Sequence, residues 1–600
     1  MNLIHHIQDK FRAALQGMVA DVEPYVAMVK PTQDAKHGDY QANCAMSLAK
    51  TLGKKPRDIA QEIVNRLNLG DLLEKPEIAG PGFINLRLQT PWLAKQLQAI
   101  SADERLGVAP QPAKTYVIDY SSPNVAKPLH VGHLRSTIIG DAITRILRFL
   151  GHTVITDNHL GDWGTQFGIL LYGYKNLLDK DSYQKGPVRE LARIYIEVRK
   201  LIGNEDEDEA HNPIADACRA ETAKLHHGDA ENVALWQEFM PHCLAEIHEV
   251  YDKLGILPFD HEHGESFYNP MLPGVVEALL QAKVAEPGDG GAIIIRFSED
   301  KVALIRKRDG AFTYTTSDLA TIVYRIEHLQ PSPNALLYVV DFRQTQHFAN
   351  LFEAAKRWGV TSFPLPHGGK GDAEMTHISF GSVLGADGKP ISTRKGDGTE
   401  LIDLINKAVE LGLQKYEESY ADRKAQGHDV PELTDIVKQS IAETVGIGAV
   451  KYADLSQNRT SDYKFDYDKM LATEGNTATY MQYAYARNRS IFRKADIDPQ
   501  SLRANPPAVL LETPYERALA MQLLKLEESL LAAAAEYEPS KVTAYLWDLA
   551  KTYSGFFQNC PVIRAESEAL KASRLLLCDL TARVLQRCLQ LLGINTVERM

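Results

Sequence analysis

Two histidines flank a glycine in Pro128-Leu129-His130-Val131-Gly132-His133. Three residues apart at the start of a helix, their imidazoles lie close together. Each can donate a hydrogen bond to a phosphate oxygen, and the first helical turn adds unpaired backbone N–H groups and a positive dipole end. Gly132 has no side chain, so a flat base can approach the backbone there. The chemistry that suits this arrangement is nucleotide phosphate binding. Alone the pattern is weak, because two histidines around a glycine arise by chance and can simply cap a helix. The other common ATP site, a Gly-x4-Gly-Lys-Ser/Thr loop, occurs nowhere in the chain.

The elements that must hold these residues are legible. TYVIDYSSPN at 115–124 is β-branched and aromatic and predicts a buried strand followed by a turn. In 132–150, Leu134, Ile138, Ala142, Ile146 and Leu150 recur every fourth residue, which predicts a helix with one apolar stripe, closed by Gly151. HTVITDNHLGD at 152–162 predicts a second strand. Strand, helix and strand at this spacing make a βαβ unit, hence a parallel sheet in a doubly wound α/β fold whose ligands bind beyond the carboxyl ends of the strands.

Around this unit, residues 1–112 predict a separate α/β module with a helical start and a strand near 79–88, ended by the Gly/Pro-rich GVAPQPAK at 107–114. Residues 113–400 hold the α/β pattern, with strands at 292–297, 302–308, 334–341 and 375–385 and a helical, charged insertion at about 175–255. From 401 the reading is almost wholly helical, divided into a connecting region at 401–470 and a final domain at 471–600.

Composition limits the function classes. The formal charge of −12 argues against indiscriminate coating of DNA, while local patches still allow RNA. The acidic run Glu205 to Glu209 predicts a solvated loop. Six cysteines without a CxxC pair predict reduced, buried thiols and no structural zinc. No apolar stretch reaches membrane-spanning length, and the first residues lack a secretory pattern, so the expectation is a cytoplasmic chain without a membrane. In 483–494, Tyr483, Tyr485 and Phe492 interleave with Arg487, Arg489, Arg493 and Lys494, and Arg489 and Arg493 are four apart. Cations that track phosphate beside aromatics that stack on bases suit single-stranded RNA. NRTSDYKFD at 458–466 is a second candidate RNA contact.

The strings SSPNVAKPLHVGHLRST at 121–137 and NHLGDWGTQFG at 158–168 closely resemble the arginyl-tRNA synthetase family. ESFY at 265–268, YTTSDLA at 314–320, RQTQHF at 343–348 and GNTATYMQYAYARNRSI at 475–491 follow in the family's order, so the resemblance covers essentially the whole chain. It implies a class I Rossmann catalytic domain, an N-terminal tRNA-contacting domain and a helical anticodon-binding domain. It implies ATP with Mg²⁺, L-arginine and tRNA(Arg) as reactants, no zinc or organic cofactor, no DNA, and a monomer. It also implies activation that waits for bound tRNA. His130, Gly132 and His133 become ATP contacts. The family's arginine pocket falls on Ser122, Pro123, Asn124, His133, Tyr314, Asp318 and Gln344, with Glu265 as an additional carboxylate. Asp318 is the physical key, since a carboxylate accepts two donors of a planar guanidinium side by side. The class also carries a lysine-rich loop that grips the ATP phosphates. Here that stretch is Lys389-Pro390-Ile391-Ser392-Thr393-Arg394-Lys395-Gly396, with threonine where the second lysine belongs. The resemblance implies compensation by Lys127, while Lys389, Arg394 and Lys395 remain candidate ATP contacts. Tyr485, Arg487, Arg489 and Arg493 are the expected tRNA contacts.

Three alternatives stand beside this reading. One is a class I synthetase for glutamate, glutamine or cysteine. Another is a small-molecule adenylyltransferase, which would be much shorter. The third is a non-catalytic tRNA-binding relative, which would be expected to lose His130, His133 or Asp318.

Overall fold

The computed structural model describes residues 2–32, 34–203, 212–364, 370–385, 387–389, 400–427 and 432–599. Its centre is a parallel sheet of β1 (Thr115–Asp119), β2 (Thr153–Asp157), β3 (Ala335–Tyr338) and β4 (Glu374–His377), in the order β4-β3-β1-β2. Every residue of β1 and β3 is buried, as expected of strands covered on both faces. β1 pairs with β2 on one side and β3 on the other, so the chain reverses its winding between β1 and β3. In an open α/β sheet that reversal opens a crevice at the carboxyl ends of the strands.

The helix joining β1 to β2 is α1 (Val131–Phe149), and Gly151 after it takes φ +95°. All five residues of the predicted stripe are buried. So are Arg135, Ser136, Asp141 and Thr144, which a one-faced helix would expose. Ser136 is held by Ser121 and the Val339 carbonyl, while Arg135 and Asp141 meet the C-terminal half of the chain. Arg135 Nε lies 3.0 Å from Asp454 Oδ2, and its Nη1 donates to the Ser461 carbonyl at 3.0 Å. Lys451 Nζ stands 3.8 Å from Asp141. Both partners belong to helix α4 (Asp435–Leu455).

The insertion contains helices Thr165–Leu177, Lys180–Lys185, Pro187–Ile202, Pro213–His226 and Ala230–Leu254. An antiparallel sheet of Glu286–Pro287, Ile293–Ser298 and Lys301–Arg306 follows. Helices α2 (Tyr314–Glu327) and α3 (Thr345–Trp358) flank β3 in sequence. The strand expected over 375–385 divides into β4 and Val383–Leu384. Between them the backbone leaves the sheet to meet 458–463: Gly381 N–H donates to the Arg459 carbonyl, and a Cβ on Gly381 would lie 2.7 Å from the Ser461 carbonyl oxygen. Val383–Leu384 then pairs in parallel with Tyr463–Lys464, the one described strand in the otherwise helical stretch after 401.

The N-terminal module starts with helix Leu3–Leu15 and carries an antiparallel sheet of Val29–Pro31, Tyr40–Ala42, Phe83–Leu86 and Glu77–Ala79, in that order. Arg517 fastens it to the C-terminal helices by a two-pronged contact to Asp39, at 2.9 and 2.7 Å. The C-terminal bundle includes α5 (Ala478–Ala495) and α6 (Glu568–Leu591). No described helix is long and apolar enough to cross a membrane.

Candidate active site

His130 is the N-cap of α1, and each histidine closes half of a capping box. His130 Nδ1 accepts the Gly132 N–H at 3.0 Å, and His133 Nδ1 accepts the His130 N–H at 3.1 Å. The ring centres are 4.0 Å apart. A neutral imidazole whose Nδ1 accepts must carry its proton on Nε2. The capping role and the donor role are therefore compatible, since capping fixes the tautomer that offers an N–H outward. Burial, then the charges of Lys127 and Arg343, holds His130 below the usual imidazole range. Burial, then His130 and Lys127, brings His133 down to about 3. Both rings are thus neutral donors at neutral pH, not cations. Arg343, on the turn after β3, is thus near enough for its charge to act on His130.

The wall after β1 is unusual. Ser121 and Ser122 both take left-handed backbone, φ +70° and +48°, which non-glycine residues seldom adopt. A net of hydrogen bonds holds them there. Ser121 N–H donates to Ser136 Oγ at 2.9 Å, Ser122 N–H to Asn158 Oδ1 at 3.0 Å, and Ser122 Oγ to Asp119 at 2.7 Å. Thr137 donates to Ser121 Oγ at 2.8 Å, and that oxygen lies 2.6 Å from the Tyr251 hydroxyl. Pro123 and Asn124 continue against Gly161, where the Gly161 N–H donates to the Pro123 carbonyl at 2.9 Å. A Cβ on Gly161 would sit 2.5 Å from Asn124 Oδ1, so the close approach requires glycine. Below, fully buried Arg325 of α2 joins Asp119 (2.7 Å) at the end of β1 to Asp157 (2.9 Å) at the end of β2. Paired on both sides, this buried cation fixes the two strand ends to α2.

Helix α2 brings the acidic side of the crevice. Tyr314 opens it, 67 % exposed, and Asp318 lies one turn later, half-buried. Asp318 Oδ2 accepts from His347 Nε2 of α3 at 2.6 Å, and the His347 ring meets Tyr314 edge-on at 4.8 Å. Glu265 begins the short helix Glu265–Tyr268, its N–H bonded to the Leu160 carbonyl beyond β2. Burial raises its carboxyl, and the charges of Asp162 and Asp318 raise it further. Negative charge close to the buried Glu265 carboxyl favours a cation nearby. Gln344 ends the exposed turn Phe342–Gln344 after β3.

Lys127 follows the Ser-Ser-Pro-Asn wall, with its Nζ 5.6 Å from the Tyr195 ring of the insertion. Lys389 is exposed, in a turn where the Gly385 N–H donates to its carbonyl. Arg394 and Lys395 lie outside the described residues. The chain returns beside the histidines, where the Leu401 N–H donates to the Leu129 carbonyl at 2.8 Å.

The RNA helix needs correction. Tyr485 is buried and donates to Glu598 at 2.6 Å. Arg489 is buried too, 2.9 Å from Asp579. The bundle covers this face of α5, so neither side chain offers its polar end to an RNA. Arg487 stacks over Phe557 at 4.0 Å and is half-exposed; Arg493 is exposed near Glu598. The 458–466 segment is also largely structural, through the bonds of Arg459, Ser461 and Asp462 to the catalytic half. Sequence reasoning missed Ser121, Asn158, Tyr251 and Arg325, whose partners are remote. The one available signal was the serine pair directly after a strand.

The family model for the class I (R) tRNA synthetase catalytic domain matches residues 96–467. The DALR anticodon binding domain matches 481–600, and the arginyl tRNA synthetase N-terminal domain matches 5–88. The arginine–tRNA ligase of Rhodopirellula baltica is 41 % identical over 689 aligned residues, and that of Escherichia coli O9:H4 is 42 % identical over 609; each comparison covers 100 % of both chains. Among solved structures, the arginyl-tRNA synthetases of Plasmodium falciparum and Thermus thermophilus each superpose with a TM-score of 0.79, at 28 % and 25 % identity, over 100 % of both chains. Three domain models in family order and full-length identity above two fifths agree: this chain belongs to the arginyl-tRNA synthetase family.

Proposed function

We propose that the crevice between β1 and β3 activates L-arginine with ATP and passes the arginyl group to tRNA(Arg). The observation that carries this reading is the meeting of two chemistries at one sheet edge. Neutral Nε2–H donors stand at the mouth of α1 after β1, while Asp318 lies in the first turns of α2, which Arg325 ties to the ends of β1 and β2, and Glu265 is bonded to the turn after β2. A phosphate chain fits the first and a guanidinium fits the second.

The arginine carboxylate attacks the α-phosphorus of ATP. The bond to the bridging oxygen of pyrophosphate breaks as the arginyl-adenylate forms. His130 and His133 donate to phosphate oxygens and move no proton. Lys127, with Lys389, Arg394 and Lys395 as the other candidates, meets the charge that gathers on pyrophosphate. A hydroxyl of the terminal tRNA ribose then attacks the carbonyl carbon, AMP leaves, and the ester remains on the RNA. Ser122, Pro123, Asn124, Tyr314 and Gln344 shape the amino-acid pocket; the chain positions reactants and stabilises charge. Mg²⁺, brought with ATP, would add positive charge that offsets the phosphates. Arg487 and Arg493 remain the tRNA contacts of α5. The enzyme works as a cytoplasmic monomer, with boundaries near 112, 400 and 470.

Pyrophosphate exchange with each amino acid, with and without tRNA, tests this. Exchange that requires arginine and bound tRNA is expected. Exchange with another amino acid would overturn the specificity.

A further inference from the structure

Asp318 already has a partner in the absence of substrate. His347 Nε2 lies 2.6 Å from its Oδ2, and no step above uses an imidazole there. An ionised carboxylate only accepts, so the shared proton belongs to Nε2. In its neutral form His347 therefore donates to one oxygen of Asp318 and turns the other toward the crevice. The ring is held in that pose by Tyr314, edge-on at 4.8 Å, and by Phe348 at 5.3 Å. In its protonated form the same ring becomes a cation on the carboxylate that the substrate's cation needs.

We infer that His347 is a positioning residue that sets the arginine affinity of this site by its own protonation: neutral, it orients Asp318 for the guanidinium; protonated, it competes for the same carboxylate. The inference rests on the reading of Asp318 as the arginine acceptor.

Among the described residues the charged and titratable groups around the ring are few. Asp318 and Tyr314 face it from α2, and Glu265 acts through Asp318 from its short helix. On the turn before α3, Arg343 is held by two 2.8 Å bonds to Asp341, which largely cancels its charge. From β4, His377 feels His347, but burial holds it below the usual imidazole range and it stays neutral on the Val340 carbonyl. Among the described residues Glu265 is a neighbour that could mimic the effect, since burial raises its carboxyl.

Binding linkage is reciprocal, so a proton that opposes arginine must be expelled by arginine. Calorimetry of arginine binding at about pH 6, in two buffers of different ionisation heat, counts that proton, and the arginine KM in pyrophosphate exchange follows it from about pH 5 to 8. The wild-type chain is expected to release part of a proton and to lose affinity toward acid by roughly 5- to 150-fold. His347→Gln keeps an N–H donor for Asp318 but cannot titrate, so its release vanishes and its KM profile flattens. His347→Asn, which likewise cannot titrate, serves as a second variant with the same expectation. An unchanged profile in His347→Gln, or no release by the wild type, overturns the inference. Should His347→Gln fail to fold, His347→Asn is read in the same two assays: loss of the release supports His347, and release that persists refutes it. A wild-type chain that binds no arginine at any pH contradicts the pocket itself, which is a different failure.

Discussion

Gly140 lies in the middle of α1, against the buried ring of Tyr120. A Cβ built there would meet Tyr120 Cγ at 2.2 Å and Cβ at 2.4 Å. Carbon atoms prefer roughly 3.5–4.0 Å. Rotating the ring cannot move Tyr120 Cβ, so in Gly140→Ala the helix and the strand end must separate by about 1 Å or more. Tyr120 precedes the left-handed serines, and α1 carries His133 two turns earlier, so both walls of the crevice shift. Overpacking costs about 1–3 kcal/mol. Alanine returns about 1 kcal/mol of helix propensity. The net loss of about 2 kcal/mol at most lowers Tm by roughly 4–8 °C, at about 2–4 °C per kcal/mol for a unit of 150–250 residues. Misplacing reacting groups by about 1 Å costs on the order of 100-fold in rate. The expected signature is a folded protein with mildly lowered Tm, unchanged tRNA affinity by filter binding, and exchange down on the order of 100-fold. Wild-type exchange in that variant would refute the claim that this packing sets the site.

Arg489→Ala should lower stability by about 3 kcal/mol in urea unfolding, the low end for a broken buried pair because Arg503 still reaches Asp579. Its tRNA affinity should keep the same salt dependence; a lost phosphate contact with intact stability would contradict the burial. Asp454→Ala leaves Arg135 buried without its carboxylate and should cost about 3–5 kcal/mol in the same assay; no loss would mean that α1 is not fastened to α4 this way. His133, depressed to about 3 when folded against about 6.5 unfolded, contributes stability that is fully present above about pH 6.5. Below that the unfolded chain binds the proton first, so stability falls toward pH 3, and His133→Asn should flatten that slope; an unchanged slope would contradict it.

The βαβ unit and its histidine pair were legible because their signals are local: a fourth-residue apolar repeat, a β-branched run and a motif within six residues. What escaped was set by distance along the chain. Arg135 and Asp141 read as the solvent face of α1 because Asp454 and Lys451 come some 300 residues later. The strand at 375–385 read as continuous because nothing in it shows that 458–463 will draw Gly381 aside. Arg489 and Tyr485 carried the right chemistry for RNA, but a helical repeat does not tell which face a bundle covers. His347 stood in the RQTQHF string without an assigned partner, because Asp318, 29 residues earlier on α2, meets it only in the fold.

The central claim is that Asp318 recognises the guanidinium. Asp318→Asn keeps the shape and gives one acceptor oxygen in place of two, with an N–H₂ turned toward a cation. In tRNA-saturated pyrophosphate exchange, kcat/KM for arginine should fall by about 2–5 kcal/mol, or roughly 30- to several-thousand-fold, while the Kd for tRNA stays unchanged. Wild-type kcat/KM for arginine in that variant would contradict the account.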